Sequence, residues 1–303
     1  MEKTLIVIVG PTGIGKSAIS LQLAQYYNTD IISADSRQIY QELSIGTAAP
    51  SAEERRTVPH HFVHTVPLSQ YYNASMFEMD VLQKLEQLFP VKNPVIMTGG
   101  SMLYVDAVCK GIDDLPTVDQ EIRTRLIGDF EKNGIEAIRL QLKQLDPVYY
   151  EKTDLKNPKR ILHALEICLM TGKPYSSFRS ETIKQRPFRI IKIGLNTDRE
   201  ELYNRINQRV LQMVEQGLFE EARNVCHLKH LNSLNTVGYK EIFAHFDGAI
   251  TREEAIEQIQ NNSRKYARKQ LTWFRRDPGI TWFNPRQYDE ILAFLNSSLN
   301  FPD

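Results

Sequence analysis

Apolar residues fall into two patterns along this chain: short unbroken runs and stretches at helical spacing. Leu5-Ile6-Val7-Ile8-Val9 is unbroken, as expected of a strand buried on both faces of a parallel sheet. Ala18-Ile19-Ser20-Leu21-Gln22-Leu23-Ala24 suits the helix that follows. Further strands are expected at Asp30-Ile31-Ile32-Ser33-Ala34, at Pro94-Val95-Ile96-Met97 and at Arg189-Ile190-Ile191-Lys192-Ile193-Gly194-Leu195. Residues 74–89 place Met76, Met79, Leu82, Leu85 and Phe89 near a 3.6 period, a stripe expected to face the core. Strands alternating with helices argue for an α/β, doubly wound parallel sheet.

From Gly111 the pattern changes. Residues 113–155 are charged and rich in helical spacing, with helices expected at 119–126 and 135–145 and no convincing strand. The sequence therefore predicts a core in two parts, 1–112 and 157–303, interrupted by a helical insertion at 113–156. The helix from Arg160 to Met170 stops at Thr171-Gly172-Lys173-Pro174, a Gly-then-Pro signal. Asp198 is placed to cap the helix after the 189–195 strand. The last long helix opens with a capping box, Thr251-Arg252-Glu253-Glu254.

The chain has 303 residues with Lys+Arg and Asp+Glu balanced at 37 each, so net charge selects no partner and only local clustering can. Clustering occurs on the last long helix. Ile256, Ile259, Ser263, Tyr266, Ala267, Gln270 and Phe274 share one face, while Arg264, Lys265, Arg268, Lys269, Arg275 and Arg276 lie outside it. No acid occurs from Asn261 to Arg276, whereas solvated faces usually mix signs, so a polyanion such as a nucleic-acid backbone is expected there. Three well-separated cysteines fit a reducing compartment rather than a disulfide framework, and neither a signal peptide nor an apolar run of spanning length is visible, so a cytoplasmic protein is expected. Cys226, His227 and His230 are too few for a zinc site, and Pro59-His60-His61-Phe62-Val63-His64, lacking a carboxylate or cysteine, is expected to be a structural turn.

The sharpest chemical signal is Gly10-Pro11-Thr12-Gly13-Ile14-Gly15-Lys16-Ser17, which fits the P-loop pattern and sits between an expected strand and an expected helix. Glycines let successive amides point into one anion-sized hollow, and the helix N-terminus adds partial positive charge. Lys16, expected to face solvent within this cradle, reaches the outer phosphate, and the Ser17 hydroxyl is the candidate ligand of a Mg2+ ion. The motif implies a diphosphate or triphosphate without saying which. Asp35 ends a strand beside the loop, where open α/β sheets bind ligands.

Together with Ser33-Ala34-Asp35-Ser36-Arg37-Gln38-Ile39-Tyr40, Ile45-Gly46-Thr47-Ala48, Pro50, Pro59-His60-His61, Gly99-Gly100-Ser101, Leu103-Tyr104, Asn157-Pro158, Arg160, Val237-Gly238-Tyr239 and Arg268-Lys269-Gln270-Leu271-Thr272-Trp273-Phe274-Arg275, the P-loop resembles the tRNA dimethylallyltransferase, or IPP transferase, family over nearly the whole chain. Ser101 departs from the Thr that many members carry but keeps the hydroxyl. Eukaryotic relatives often add a C-terminal zinc finger; none is visible in this sequence, so a bacterial form is expected.

The resemblance implies a P-loop NTPase-like fold and two substrates, dimethylallyl diphosphate and adenine 37 of tRNA, beside the anticodon. The five-carbon group moves to the adenine N6 and diphosphate leaves. Lys16, Ser17 and, through the match at Arg205 and Arg209, Arg209 take charge growing on the diphosphate. Asp35 either accepts the N6 proton or holds Mg2+ as a Walker-B-like carboxylate. Ser101 and Arg123 match positions important for catalysis. The family's tRNA-contact segments map onto Asp35-Ser36-Arg37-Gln38, Lys159-Arg160-Ile161-Leu162-His163, Asn235-Thr236-Val237-Gly238-Tyr239-Lys240 and Arg268 to Arg275. A monomer acting on a flipped-out base is expected. The competing readings are a small-molecule P-loop kinase, a prenyltransferase for free AMP or ADP, and a non-enzymatic RNA-binding switch.

Overall fold

In the computed structural model, which describes residues 2–113, 115–116, 119–179 and 183–300, the apolar runs lie side by side in one sheet. The chain divides into two units, one of Met1–Lys110 with Gln185–Asp303 and one of Gly111–Lys184.

The first unit runs β1 (Thr4–Val9), α1 (Lys16–Tyr26), β2 (Ile31–Ser33), α2 (Ala52–Thr57), β3 (His60–His61), α3 (Ala74–Leu88), β4 (Val95–Thr98) and α4 (Met102–Lys110) before the second unit intervenes. The second unit contains α5 (Gln120–Leu145), α6 (Pro147–Lys152) and α7 (Pro158–Thr171). The first unit then resumes with β5 (Arg189–Leu195), α8 (Arg199–Glu215), α9 (Leu218–Asn224), α10 (Tyr239–Phe246), α11 (Arg252–Phe274), β6 (Ile280–Phe283) and α12 (Tyr288–Leu299). The six strands lie in the order β3-β2-β4-β1-β5-β6, and every pair is parallel.

Alternate residues of the apolar runs explain the double winding. Ile6, Ile8, Ile31, Ile96 and Ile193 face a core shared with α1, α8 and α12. Leu5, Val7, Ile32, Val95 and Met97 face the opposite core, filled by Phe77, Val81 and Leu85 of α3 and by Val105 and Val108 of α4. A third core joins the loop carrying Ile39, Tyr40 and Leu43 to α8, α9, α10 and α11. Among the described residues no helix is long and apolar enough to cross a membrane.

Several expectations need correction. The stripe on α3 is rotated: Phe77, Val81, Leu85 and Leu88 are buried, whereas Met79 is 60% exposed, because α3 packs through its aromatic and β-branched side. His60 and His61 form the edge strand rather than a turn, and His61 Nε2 pairs with Asp30 Oδ2 at 2.9 Å. The second unit extends to Lys184, beyond the boundary expected at 156. Ile161, Leu165 and Cys168 of α7 bury against Leu126, Ile138 and Leu142 of α5, so α7 shares the insertion's core. The two helices expected in the insertion are both present within α5, parted at Gly134, whose φ of 74° and ψ of −174° are not helical. The capping box at Thr251 and Glu254 is present, but Asp198 flanks α8 without a side-chain cap bond.

Candidate functional site

Strand β1 ends in the core and the chain turns at once into α1, so the P-loop is anchored at both ends. Gly15 caps α1 with φ 105°, a left-handed conformation open to glycine, and makes no side-chain cap hydrogen bond. The first amides of a helix have no intrahelical acceptor, so an anion in this position is favoured. Ile14 is buried, and its amide donates to Pro11 O at 3.3 Å; its contribution is to pin the turn rather than to touch a ligand.

A cavity of about 390 Å3 opens over the loop, lined by Thr12, Lys16, Ser17, Asp35, Arg205 and Arg209 among others. Lys16 is half-buried rather than solvent-facing as expected, its Nζ turned to the loop and donating to Gly10 O at 3.0 Å and Pro11 O at 2.9 Å. Burial, then the neighbouring Arg209, push its ammonium down to about 7, against an opposing pull from Asp35. Burial also lowers Arg209, again opposed by Asp35, and its Nη1 reaches Thr12 Oγ1 at 3.5 Å. The site thus brings two enclosed cations toward one carboxylate, a setting primed for an anion.

The Asp35 loop is tightly organised. Asp35 Oδ1 accepts from Arg37 N at 2.9 Å and Gln38 N at 3.3 Å. Buried Ser101, at the end of the β4 loop, accepts from Ser36 N at 2.8 Å and donates to Ser36 Oγ at 3.1 Å. Ser101 therefore acts on the loop that presents Asp35. Gln38 ties Ser33 Oγ to the carbonyls of Thr47 and Ala48.

A second cavity, of about 360 Å3, lies against the first and shares Thr12, Asp35, Thr47, Arg209 and Tyr266 with it. Its other walls include Ser36, Arg37, Asn235, Val237, Gly238 and Lys240. The loop closing it is held by Glu221, whose carboxylate accepts from Ser44 N, Ile45 N and Gly46 N at 2.7–2.8 Å and from Tyr239 OH at 2.6 Å. The structure therefore joins an anion cradle to an adjoining chamber, with Asp35 and Arg209 at the junction.

The family model described as IPP transferase matches residues 38–277. The chain belongs to the IPP transferase family. It is 58% identical over 98% of its length to tRNA dimethylallyltransferase 1 of Bacteroides fragilis, covering 99% of that protein. It is 46% identical to a tRNA dimethylallyltransferase of Christiangramia forsetii, covering 99% of this chain and all of that one. Among solved structures, the full-length tRNA isopentenylpyrophosphate transferase from Bacillus halodurans superposes with a TM-score of 0.70 at 34% identity, over 99% of this chain and 97% of that one. A eukaryotic dimethylallyltransferase acting on tRNA superposes with a TM-score of 0.81 at 25% identity, over 99% and 80%.

Within this IPP transferase fold, not every residue of the matching RNA segments has surface to offer. Ile161 and Tyr239 are fully buried, and Gln270 and Phe274 are 1% and 3% exposed, so their side chains pack inside the fold. Gln270 is the informative one: its Oε1 accepts from Thr12 N at 2.8 Å and its Nε2 donates to Gly100 O at 2.9 Å. It clamps the P-loop to the β4 loop from α11, and a Cβ at position 100 would collide with it. Trp273 is half-buried and donates to Asp106 Oδ2 at 2.7 Å. Leu271 packs half-buried on the α1 side of the sheet. Lys265, Arg268, Lys269, Arg275 and Arg276 are exposed, while Arg264 is held by Asn207 and Asn261. Arg123 lies on the second unit, where Glu166 takes its Nη2 at 2.9 Å and also receives His163 Nδ1 at 3.4 Å. The residues that sequence reasoning missed are Tyr266, whose phenol reaches Gly100 O at 3.4 Å, and Glu221; Tyr266 falls on the expected apolar face, and Glu221 carries no local motif.

Proposed function

We propose that this chain transfers the dimethylallyl group of dimethylallyl diphosphate to N6 of adenine 37 in tRNA, releasing diphosphate. The observation that carries the reading is the pair of adjoining cavities. One is walled by the P-loop and suits the diphosphate; the other suits an acceptor base, and the reacting atoms meet beside Asp35 and Arg209.

The N6 amine is a weak nucleophile, because its lone pair is delocalised into the ring. Alignment and leaving-group stabilisation must therefore supply the rate. The N6 lone pair forms a bond to C1 of the prenyl group as the C1–O bond breaks, and that electron pair leaves on the diphosphate. Lys16, Arg209 and the amides at the start of α1 take up its charge. The N6 proton passes to Asp35, whose loop is held by Ser101. Gly10 to Ser17 form the diphosphate site, and Asn235 to Lys240, Ser36 to Gln38 and the exposed cations of α11 belong to the RNA site. Lys159 to His163 and Arg123 belong to the proposed set through their family match.

Magnesium fits this arrangement. Ser17 is exposed and lines the diphosphate cavity, and no cluster of three His, Cys, Asp or Glu among the described residues forms a competing metal cage. Mg2+ is commonly held by few protein ligands together with substrate phosphates. When bound it would neutralise charge on the leaving diphosphate.

A P-loop kinase or an AMP prenyltransferase would share the cradle, but neither needs the acid-free cationic stretch of α11. Incubating the protein with dimethylallyl diphosphate and Mg2+ separates the three. Prenylation of an anticodon stem-loop in preference to AMP, with no phosphoryl transfer from ATP, is expected; preferential prenylation of AMP, or ATP turnover with a nucleoside monophosphate, overturns the reading.

A further inference from the structure

A third cavity, of about 370 Å3, lies between the start of α8 and the last turns of α11, and none of its lining residues belongs to the two chambers above. Arg268, Thr272 and Arg275 form one wall and fall in a segment already matched to RNA contacts. The opposite wall is Asn196, Arg199 and Tyr203, which fall in none of those segments.

Three arginines line this cavity. Arg199, Arg268 and Arg275 are exposed, and among the described residues none has an ion-pair partner. Arg199 is steadied by Tyr203, with its guanidinium carbon 5.2 Å from the ring centroid. The carboxylate at the rim is Asp198, while nearby Glu201 is already engaged by Thr197 and Arg286 at 2.8 Å. Positive charge therefore prevails. Two polar atoms of the same wall, Asn196 Oδ1 and Tyr203 OH, are buried without a hydrogen-bond partner. Buried polar atoms are almost always satisfied, so both atoms have hydrogen-bonding capacity left to offer a ligand. Arginine forks match phosphate oxygens, and a phenol hydroxyl adds a donor.

We propose that this pocket binds a backbone phosphate of the RNA substrate. The inference rests on the reading of the chain as a tRNA-modifying enzyme and adds to it an anchor on α8. Arg199 precedes Arg209 by ten residues, roughly 15 Å along the helix at the α-helical rise. The phosphate held at Arg199 therefore belongs to a nucleotide other than the one whose base enters the acceptor chamber. Docking here would also load α8 and α11, the two helices that carry Arg209 and Gln270 to the P-loop.

The test measures binding of an anticodon stem-loop RNA across a salt series for the wild type, Arg199→Ala, Arg199→Lys and Tyr203→Phe. Each lost phosphate contact lowers the slope of log affinity against log salt by about one. Arg199→Ala is expected to show that loss while keeping its melting temperature and its affinity for dimethylallyl diphosphate. Arg199→Lys should retain most of the slope, and Tyr203→Phe should weaken binding with the slope unchanged. A wild-type slope in Arg199→Ala overturns the proposal. So does a slope lost together with the melting temperature, which marks a structural role. If the slope stays while inorganic phosphate stabilises the wild type and not Arg199→Ala, the pocket takes a free anion and the RNA assignment falls. A wild-type protein that modifies the stem-loop while Arg199→Ala binds it normally refutes the pocket alone; a wild-type protein that neither binds nor modifies it refutes the parent reading as well.

Discussion

Lys16 concentrates the energetics of the cradle. Its enclosed ammonium, lowered to about 7, has carbonyl partners at Gly10 and Pro11 but, among the described residues, no carboxylate bonded to it. A bound diphosphate supplies the missing counter-charge and raises the Lys16 pKa. Below pH 7 the lysine is already protonated, and binding draws no proton. Above pH 7 binding takes one up, so affinity falls as pH rises until the pKa of the bound state is passed. Calorimetry in buffers of different ionisation enthalpy should detect net proton uptake above pH 7, and Lys16→Met should abolish it. Lys16→Ala should leave the fold intact and slow transfer by about 10²-fold or more, by analogy with a lost oxyanion donor. Asp35 is the other decisive residue. Asp35→Asn should lower the single-turnover rate by about 10²–10⁴-fold with dimethylallyl diphosphate affinity preserved, as loss of a general base requires. Rescue of the rate by raised Mg2+ would instead assign Asp35 to the metal.

At the scale of elements, α11 has two sides with different work. Its buried side carries Gln270, which satisfies the Thr12 amide and the Gly100 carbonyl together. Gln270→Leu strands both groups, and an unmet buried donor or acceptor costs about 1–3 kcal/mol. Chemical denaturation should show a loss of about that size, with weaker diphosphate binding and an unchanged salt slope for RNA. The opposite pattern, normal stability with impaired RNA affinity, would mean that Gln270 reads the RNA. The exposed side carries Arg268, Lys269 and Arg275. Replacing each with Ala should lower the salt slope of RNA binding by about one, leaving diphosphate affinity in place. An unchanged slope would make this a solvated face.

At the scale of the whole molecule, what the sequence made legible follows from signal length. The strands β1 and β4 are apolar runs buried on both faces, β5 is apolar apart from Arg189 and Lys192, and the P-loop between β1 and α1 is a local motif, so all were readable from neighbours in sequence. The edge strands were not. β3 is two histidines, and β6 buries Ile280 while exposing Thr281, so neither carries a run. The end of the insertion was missed because α7 has the same helical spacing whichever core it joins. Gln270 was legible as part of an RNA-matching segment but not as a clamp, since its partners are 258 and 170 residues away. Asp35 and Arg209 were legible as candidates; that they meet at the junction of two cavities is a property of the folded sheet. The most direct test of the account is nucleoside-level mass analysis of tRNA after incubation with this protein, dimethylallyl diphosphate and Mg2+. The account predicts one five-carbon group in place of one hydrogen on the adenine 3′ of the anticodon, released diphosphate in equal amount, and formation of both products about 10²-fold or more slower with Lys16→Ala. Unmodified tRNA from a folded wild-type protein, or a prenyl group on free AMP alone, would contradict it.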